Sequence, residues 1–527
     1  MNVEGDVSSE SSSGKAPMKI YASVYVHEKD GEKSDNIDDT WRVVKLLEDL
    51  NCKIINDEDS PPDESEEDRE AEECSSMSDD TSDDEDSKPK PNTHHEAVII
   101  NQMTKDTLHS LESLASKNPD AGCFILYIFA RQIGNKLKTS DNNDVDVFQL
   151  WKAINKPTIP TIFFVQGNSE NDADEVPDIL LNSENATDRN KNTITSVTTI
   201  PKSANVLLVY LPKPENLNVS VPEILREELL KNLEIHTSLI NVNRMLREKG
   251  CKSSPKFSST VIEDLHLTNG EPAALPEKYS CERNFLAYAF LFGTYSPGLD
   301  LDNLDEDVPL DKKSLRVLEE EFGVKLEFCV ENHLMKKADF EKKLLEILQN
   351  EELDSCDGII IILSTHGMEN LCLFAYDGCF TIDYVWHSLA NSTKLKNKPK
   401  VIISDACRGP RYNLEGAVPF PGKNSKGGSS KAVPFRPSGR DTAGTPSMDD
   451  MLVALASVEG KPSYGGMGSI FISNLCHTLR KHGELDFQTI LRRTMEKVSL
   501  IETQYKQQVT FTSALQKLLY LPKKNCQ

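Results

Sequence analysis

Two short, uninterrupted apolar runs constrain this chain more than any other feature: GIIIIL at Gly358–Leu363 and PKVIIS at Pro399–Ser404. A run with no polar alternation fits a strand covered on both faces, the usual state of a parallel sheet. Amphipathic segments surround them. Lys312–Phe322 carries Leu315, Leu318 and Phe322 at helical spacing, and Ala338–Gln349 places Phe340, Leu344, Leu345 and Leu348 on one face. Further helices are predicted over Ile382–Ala390, Ile470–Lys481 and Asp486–Val498. Strands are predicted at Phe285–Phe292, Val324–Val330, Met451–Ser457 and Gln508–Phe511. This alternation predicts a three-layer α/β/α fold around a mainly parallel sheet.

In open sheets of this kind, ligands bind at the carboxyl ends of the strands. GIIIIL runs into Ser364-Thr365-His366-Gly367, and PKVIIS runs into Asp405-Ala406-Cys407-Arg408-Gly409. A lone cysteine after a buried strand is usually packing, and a lone loop histidine is usually solvated. Two such residues at strand ends, each followed by glycine within two positions, point instead to a reaction centre. An imidazole can take the proton of a thiol as the sulfur attacks. The oxyanion that forms needs donors, for which the backbone amides of Gly367 and Cys407 are the candidates.

The block DACRG is similar to the caspase nucleophile motif Q-A-C-R-G, and LSTHG resembles that family's Ser-His-Gly. The histidine lies 41 residues before the cysteine, against roughly 50 in the family. The resemblance covers about residues 283–522. It implies a cysteine endopeptidase with a His366/Cys407 dyad, acting on protein substrates in apoptosis or innate immune signalling. It also implies pairing through the last strands, either within the chain or between copies, and contact with other caspases.

The match fails in the substrate pocket. Caspases hold a substrate aspartate with two arginines and the glutamine of the motif. Here the glutamine position is Asp405, and the stretch before Lys312 reads DLDNLDEDVPLD, without arginine. The segment Ser463-Tyr464-Gly465-Gly466 has none either. An acidic residue two before the cysteine is similar to metacaspases and paracaspases, which implies an Arg or Lys at P1. The alternative is a domain that has lost effective substrate binding and regulates other caspases. The linker at 410–447, rich in Gly, Ser, Pro and Lys, falls where caspases are processed. Asp441, Asp449 and Asp450 suit cleavage by a conventional caspase, whereas Arg436 and Arg440 suit a basic-specific one.

The region before residue 250 repeats the order of elements. TWRVVKLLEDLNCKIIN (40–56), TKDTLHSLESL (104–114), AGCFILYIFA (121–130), KPTIPTIFFVQGN (156–168) and ANVLLVYLP (204–212) recur in sequence, followed by helical residues Ile224–Arg247. Setting Gly122 against Gly358 puts Ala130 at the histidine position, and setting Pro160 against Pro399 puts Asn168 at the cysteine position. The expected organisation is therefore two tandem copies. A polar N-terminus occupies 1–17, a degenerate copy 18–249, a connector 250–280 and the peptidase copy 281–525.

Composition narrows the remaining choices. The net charge is −25, and residues 57–86 hold 17 Asp/Glu against one Arg, so 57–90 reads as an acidic disordered insertion. That balance argues against nucleic acid as partner. No apolar run is long enough to span a bilayer, and the twelve cysteines lack zinc-type spacing. With no P-loop or dinucleotide-binding glycine pattern, no metal or cofactor is expected. The absence of a secretory signal pattern predicts a cytoplasmic protein with reduced thiols.

Overall fold

The computed structural model describes residues 18–26, 37–54, 101–102, 117–133, 136–138, 143–146, 159–167, 205–212, 219–251, 255–368, 371–408, 448–458, 462–465, 468–501 and 507–524. The predicted N-terminal segment 1–17, the insertion 57–90, the helix 104–114 and the linker 410–447 lie outside them.

Twelve strands make the main path of one sheet. They are β1 (Ile20–Val26), β2 (Lys53–Ile54), β3 (Cys123–Ile133), β4 (Thr161–Gly167), β5 (Val206–Leu211) and β6 (Lys256–Ser259). The second set is β7 (Phe285–Leu291), β8 (Val324–Phe328), β9 (Gly358–Ser364), β10 (Lys400–Asp405), β11 (Met451–Leu455) and β12 (Thr510–Ser513). Their spatial order is β8-β7-β9-β10-β11-β12-β6-β5-β4-β3-β1-β2. Neighbours are parallel except at the centre, where β11–β12, β12–β6 and β6–β5 are antiparallel.

Each strand of the first set corresponds to the strand six later. The registers agree as well. Ile20 pairs with Cys123 as Phe285 pairs with Gly358, Phe124 with Thr161 as Ile359 with Lys400, and Thr161 with Val206 as Lys400 with Met451. Where β6 meets β12 the pairing reads Ser259↔Phe511, Ser258↔Thr512 and Phe257↔Ser513. That is the self-complementary pattern of a two-fold interface, centred on the Ser258 and Thr512 hydroxyls, 2.8 Å apart. The rings of Phe257 and Phe511 meet edge to face beside it, 6.2 Å between centroids.

The helices are α1 (Ile37–Asp49), α2 (Val221–Leu229), α3 (Ile235–Glu248), α4 (Asp307–Leu315), α5 (Val317–Glu320), α6 (Lys337–Gln349), α7 (Glu352–Ser355), α8 (Ile382–Ala390), α9 (Ile470–His482) and α10 (Phe487–Ser499). Alternation along β9 distributes them. Ile360 and Ile362 pack in the same core as Leu315, Phe471 and Leu491. Ile359 and Ile361 face the other way, in the core of Phe340, Leu344 and Trp386. Helices thus cover both faces of the C-terminal part of the sheet, and the α/β expectation holds.

Several boundaries differ from those expected. The helix expected at Lys312–Phe322 begins at Asp307 and is interrupted at Arg316; Pro309 is tolerated because it lies in the first turn, where no amide partner is lost. The helical stretch Ile224–Arg247 is divided between two helices, α2 ending at Leu229 and α3 beginning at Ile235. Strand β1 had no counterpart among the expected elements. Within the segment read as a connector, Lys256–Ser259 forms β6, one of the two central strands.

Candidate active site

Parallel pairing of β9 with β10 sets Ser364 opposite Asp405, and the Thr365 amide donates to the Asp405 carbonyl over 3.1 Å. His366 and Cys407 therefore leave the sheet from neighbouring strand ends, and both are half-buried. A Cβ placed on Gly367 would lie 2.4 Å from the Cys407 carbonyl oxygen and 2.9 Å from the Ala406 Cβ. Only glycine lets the two blocks approach this closely. The structure thus brings together His366, Gly367, Asp405 and Cys407.

The imidazole is oriented by backbone and by a ring. His366 Nε2 is 2.8 Å from the Asp302 carbonyl oxygen, and the Tyr295 ring lies 5.0 Å away between centroids. The Tyr295 hydroxyl accepts from the His366 amide at 3.2 Å and shares a 2.8 Å hydrogen bond with Thr365 Oγ1. A carbonyl can only accept, so the Asp302 contact selects the tautomer protonated on Nε2 and leaves Nδ1 as the basic nitrogen.

Cys407 Sγ lies 3.3 Å from both the backbone oxygen and the amide nitrogen of Ser463. Burial raises its pKa, the nearby Asp405 carboxylate raises it further, and the Ser463 amide partly opposes them. In this arrangement the sulfur is a protonated thiol at neutral pH and needs a base before it can attack.

Beneath the thiol are two buried carboxyl groups. Asp405 Oδ1 accepts from the Ser463 hydroxyl, and Asp311 on α4 accepts from the hydroxyls of Ser364 and Ser469 and from the Ser469 amide. Burial pushes Asp405 up to about 7, and the Asp311 charge adds to the shift. Asp311 is raised for the same first reason. The folded pKa of Asp405 exceeds the ordinary aspartate value of about 4, so the folded state binds the extra proton. Stability should therefore fall as pH rises from about 4 through 7, by roughly 1.4 kcal/mol per unit at most. Asp405→Asn is expected to flatten that slope, measured as the change in Tm between pH 5 and pH 8.

Two of the three proposed processing aspartates are described. Asp449 pairs with Arg247 at 2.7 Å, and Asp450 is buried, accepting from the Tyr279 hydroxyl at 2.6 Å. A cut at either requires this segment to open. Asp441 lies outside the described residues, as do Arg436 and Arg440.

Sequence reasoning missed four contributors. Asp302 acts through a main-chain carbonyl and has no side-chain signal. Ser463 and Gln507 come from separate loops; Gln507 Oε1 accepts from the Tyr464 amide at 3.1 Å, and its Nε2 donates to the Ser463 hydroxyl at 3.3 Å. Asp311 looked like one more acid in an acidic stretch.

In the N-terminal half, register corrects an expected equivalence. Because β3 begins at Cys123 where β9 begins at Gly358, the backbone position matching His366 is Arg131 rather than Ala130. Asn168, set against Cys407, lies outside the described residues.

Among the described residues no helix is long and apolar enough to cross a membrane, and no group of three or more His, Cys, Asp or Glu is placed to hold a metal. Residues 300–520 match the family model described as the caspase domain, of the C14 peptidases. Caspase-6 of Gallus gallus is 27% identical over 173 residues, 31% of this chain and 55% of that protein. Cell death protein 3 of Caenorhabditis remanei is 28% identical over 168 residues, 27% of this chain and 32% of that protein. The chain therefore spans about half the length of the first and a third of the second. Among solved structures, caspase-1 from Spodoptera frugiperda is similar at 24% identity with a TM-score of 0.38, covering 47% of this chain and 95% of that one. Within residues 300–520, then, the chain is similar to the caspase domain, at under 30% identity to either relative.

Proposed function

We propose that this chain is a cysteine endopeptidase in which Cys407 is the nucleophile and His366 the general base. One observation carries the reading: adjacent parallel strands bring the two residues to one edge, with Gly367 packed on the Cys407 carbonyl. His366 Nδ1 takes the thiol proton as Sγ adds to the scissile carbonyl carbon. The amides of Gly367 and Cys407 donate to the resulting oxyanion. The imidazolium then returns its proton to the leaving amine as the C–N bond breaks, leaving a thioester that water hydrolyses.

The substrate is a protein, and the pocket favours a cationic P1 side chain. A carboxylate there would approach the buried Asp405 and Asp311 carboxyl groups, whereas a cation would draw the Asp405 proton off and pair with the carboxylate. The N-terminal half is a degenerate copy that pairs with the peptidase half within one chain, which its matching strand order and registers support. A cytoplasmic setting suits the reduced thiols.

Ser463 against the sulfur favours a second reading, in which a closed site serves regulation of other caspases. Turnover of a P1-varied peptide library, by full chain intact and cut in the linker, separates the two. Cleavage after Arg or Lys, lost at least about 1,000-fold in Cys407→Ala and in His366→Ala, is expected. Equal background from wild type and variants supports the regulator.

A further inference from the structure

Beside the reaction centre lies a small three-stranded sheet formed by Gly367–Met368, Cys372–Ala375 and Gly378–Thr381. Cys372 pairs with Thr381 and Phe374 with Cys379. Side chains alternate along a strand, so Cys372, Phe374, Cys379 and Thr381 share one face, and the two cysteines are diagonal neighbours. Both are reduced. Cys379 is the one exposed cysteine among the described residues, and Cys372 is half-buried.

We propose that Cys372 and Cys379 form a dithiol site that a hydroperoxide oxidises to a disulfide. The Cys379 thiol is brought down to about 6, first by its hydrogen bond with Cys372, against the opposing effect of burial and with help from the Lys337 ammonium. At neutral pH it is mostly thiolate, while burial pushes Cys52, Cys329 and Cys476 up to about 12. An attacking thiol with a pKa near ambient pH combines thiolate fraction with nucleophilicity.

In the first step the Cys379 sulfur attacks the terminal peroxide oxygen. An S–O bond forms, the O–O bond breaks, and the alcohol or water leaves with a proton from solvent. The Cys372 thiol then loses its proton to solvent and attacks the Cys379 sulfenic sulfur. An S–S bond forms and water leaves. Overall two thiols are oxidised and one peroxide is reduced by two electrons.

The site is tied to the reaction centre by main chain. Met368 pairs with Cys372, the Phe374 amide donates to the His366 carbonyl at 3.0 Å, and the Cys372 carbonyl lies 3.2 Å from where a Gly367 Cβ would be. Closing the bridge must bring the two Cα atoms within about 4.4–6.8 Å, which restrains the strand that Gly367 rests on.

The test uses the reduced full chain carrying Cys407→Ala, so the outcome does not depend on peptidase activity. One equivalent of hydrogen peroxide at pH 7 is followed by alkylation and non-reducing peptide mapping. The expected result is loss of two hydrogens across Cys372 and Cys379, with Cys281 still alkylated. Cys379→Ser should slow peroxide consumption at least 10-fold and leave Cys372 alkylatable, and Cys372→Ser should leave Cys379 as an unresolved sulfenic or sulfinic acid. If wild-type Cys379 is carried to sulfinic acid while Cys372 stays alkylatable, or if Cys379 reacts no faster than Cys281, the proposal fails.

Discussion

Gly367→Ala is expected to reduce Cys407-dependent peptide turnover by at least about 100-fold while leaving the protein folded. The added Cβ would lie 2.4 Å from the Cys407 carbonyl oxygen and 3.2 Å from the Cys372 carbonyl oxygen. Both obstacles are backbone, so neither can rotate away, and the β9 loop must move off the β10 loop. That motion withdraws the Gly367 amide from the oxyanion and shifts His366 relative to the sulfur. Loss of one oxyanion donor alone costs roughly 100- to 1,000-fold. The check is kcat of the variant against wild type, with circular dichroism to establish folding. An alanine variant with kcat within threefold of wild type would exclude Gly367 from the machinery. Any measurement based on an electrophile should carry Cys379→Ser, because that exposed thiolate would react ahead of the protonated Cys407 thiol.

Arg492→Ala should destabilise the chain by about 3–5 kcal/mol at pH 7, the usual consequence of removing one partner from a buried ion pair. Arg492 is 4% exposed and reaches Asp264 at 2.6 Å, Glu234 at 3.7 Å and the Glu263 carbonyl at 3.1 Å. Asp264 is largely solvated and contributes little; the weight falls on Glu234, which caps α3 and is only 12% exposed. Burial alone would push Glu234 up, but His236 and Arg492 overcome it and hold the carboxyl at about 2. A folded pKa below the ordinary value of about 4.3 gives stability that is present above that value and lost as pH falls toward 2. Without Arg492, burial regains its influence, so the acid-unfolding midpoint should move to higher pH. Urea unfolding at pH 7 and an acid titration followed by circular dichroism measure the two effects. An unchanged acid midpoint would mean that His236 holds Glu234 by itself.

How far the sequence could be read depended on the kind of signal each element left. Strands β9 and β10 were legible because a double-sided position in a parallel sheet admits little but apolar residues, and α8 has the bounds expected for it, Ile382–Ala390. Helix α4 begins earlier than its apolar pattern, since its first turn is acidic and contains Pro309. Strand β6 is only Lys-Phe-Ser-Ser; its pairing is specified by backbone and hydroxyls, which leave no periodic apolar trace. At the site, His366 and Cys407 stood out because reactive side chains follow buried strands. Asp302 contributes a carbonyl that any residue could supply, and Ser463 acts through its position. The one-residue offset from Ala130 to Arg131 arose because Gly122 precedes the strand that its C-terminal counterpart, Gly358, begins.

A sheet assembled from two molecules comes apart when the solution is diluted, because its formation is second order in protein. Here the strands that meet at Ser258 and Thr512 belong to one polypeptide, so mass action has no hold on that junction. If the proposed peptidase activity depends on that junction, it should not change on dilution from micromolar to picomolar protein, as it would for a sheet shared between two molecules.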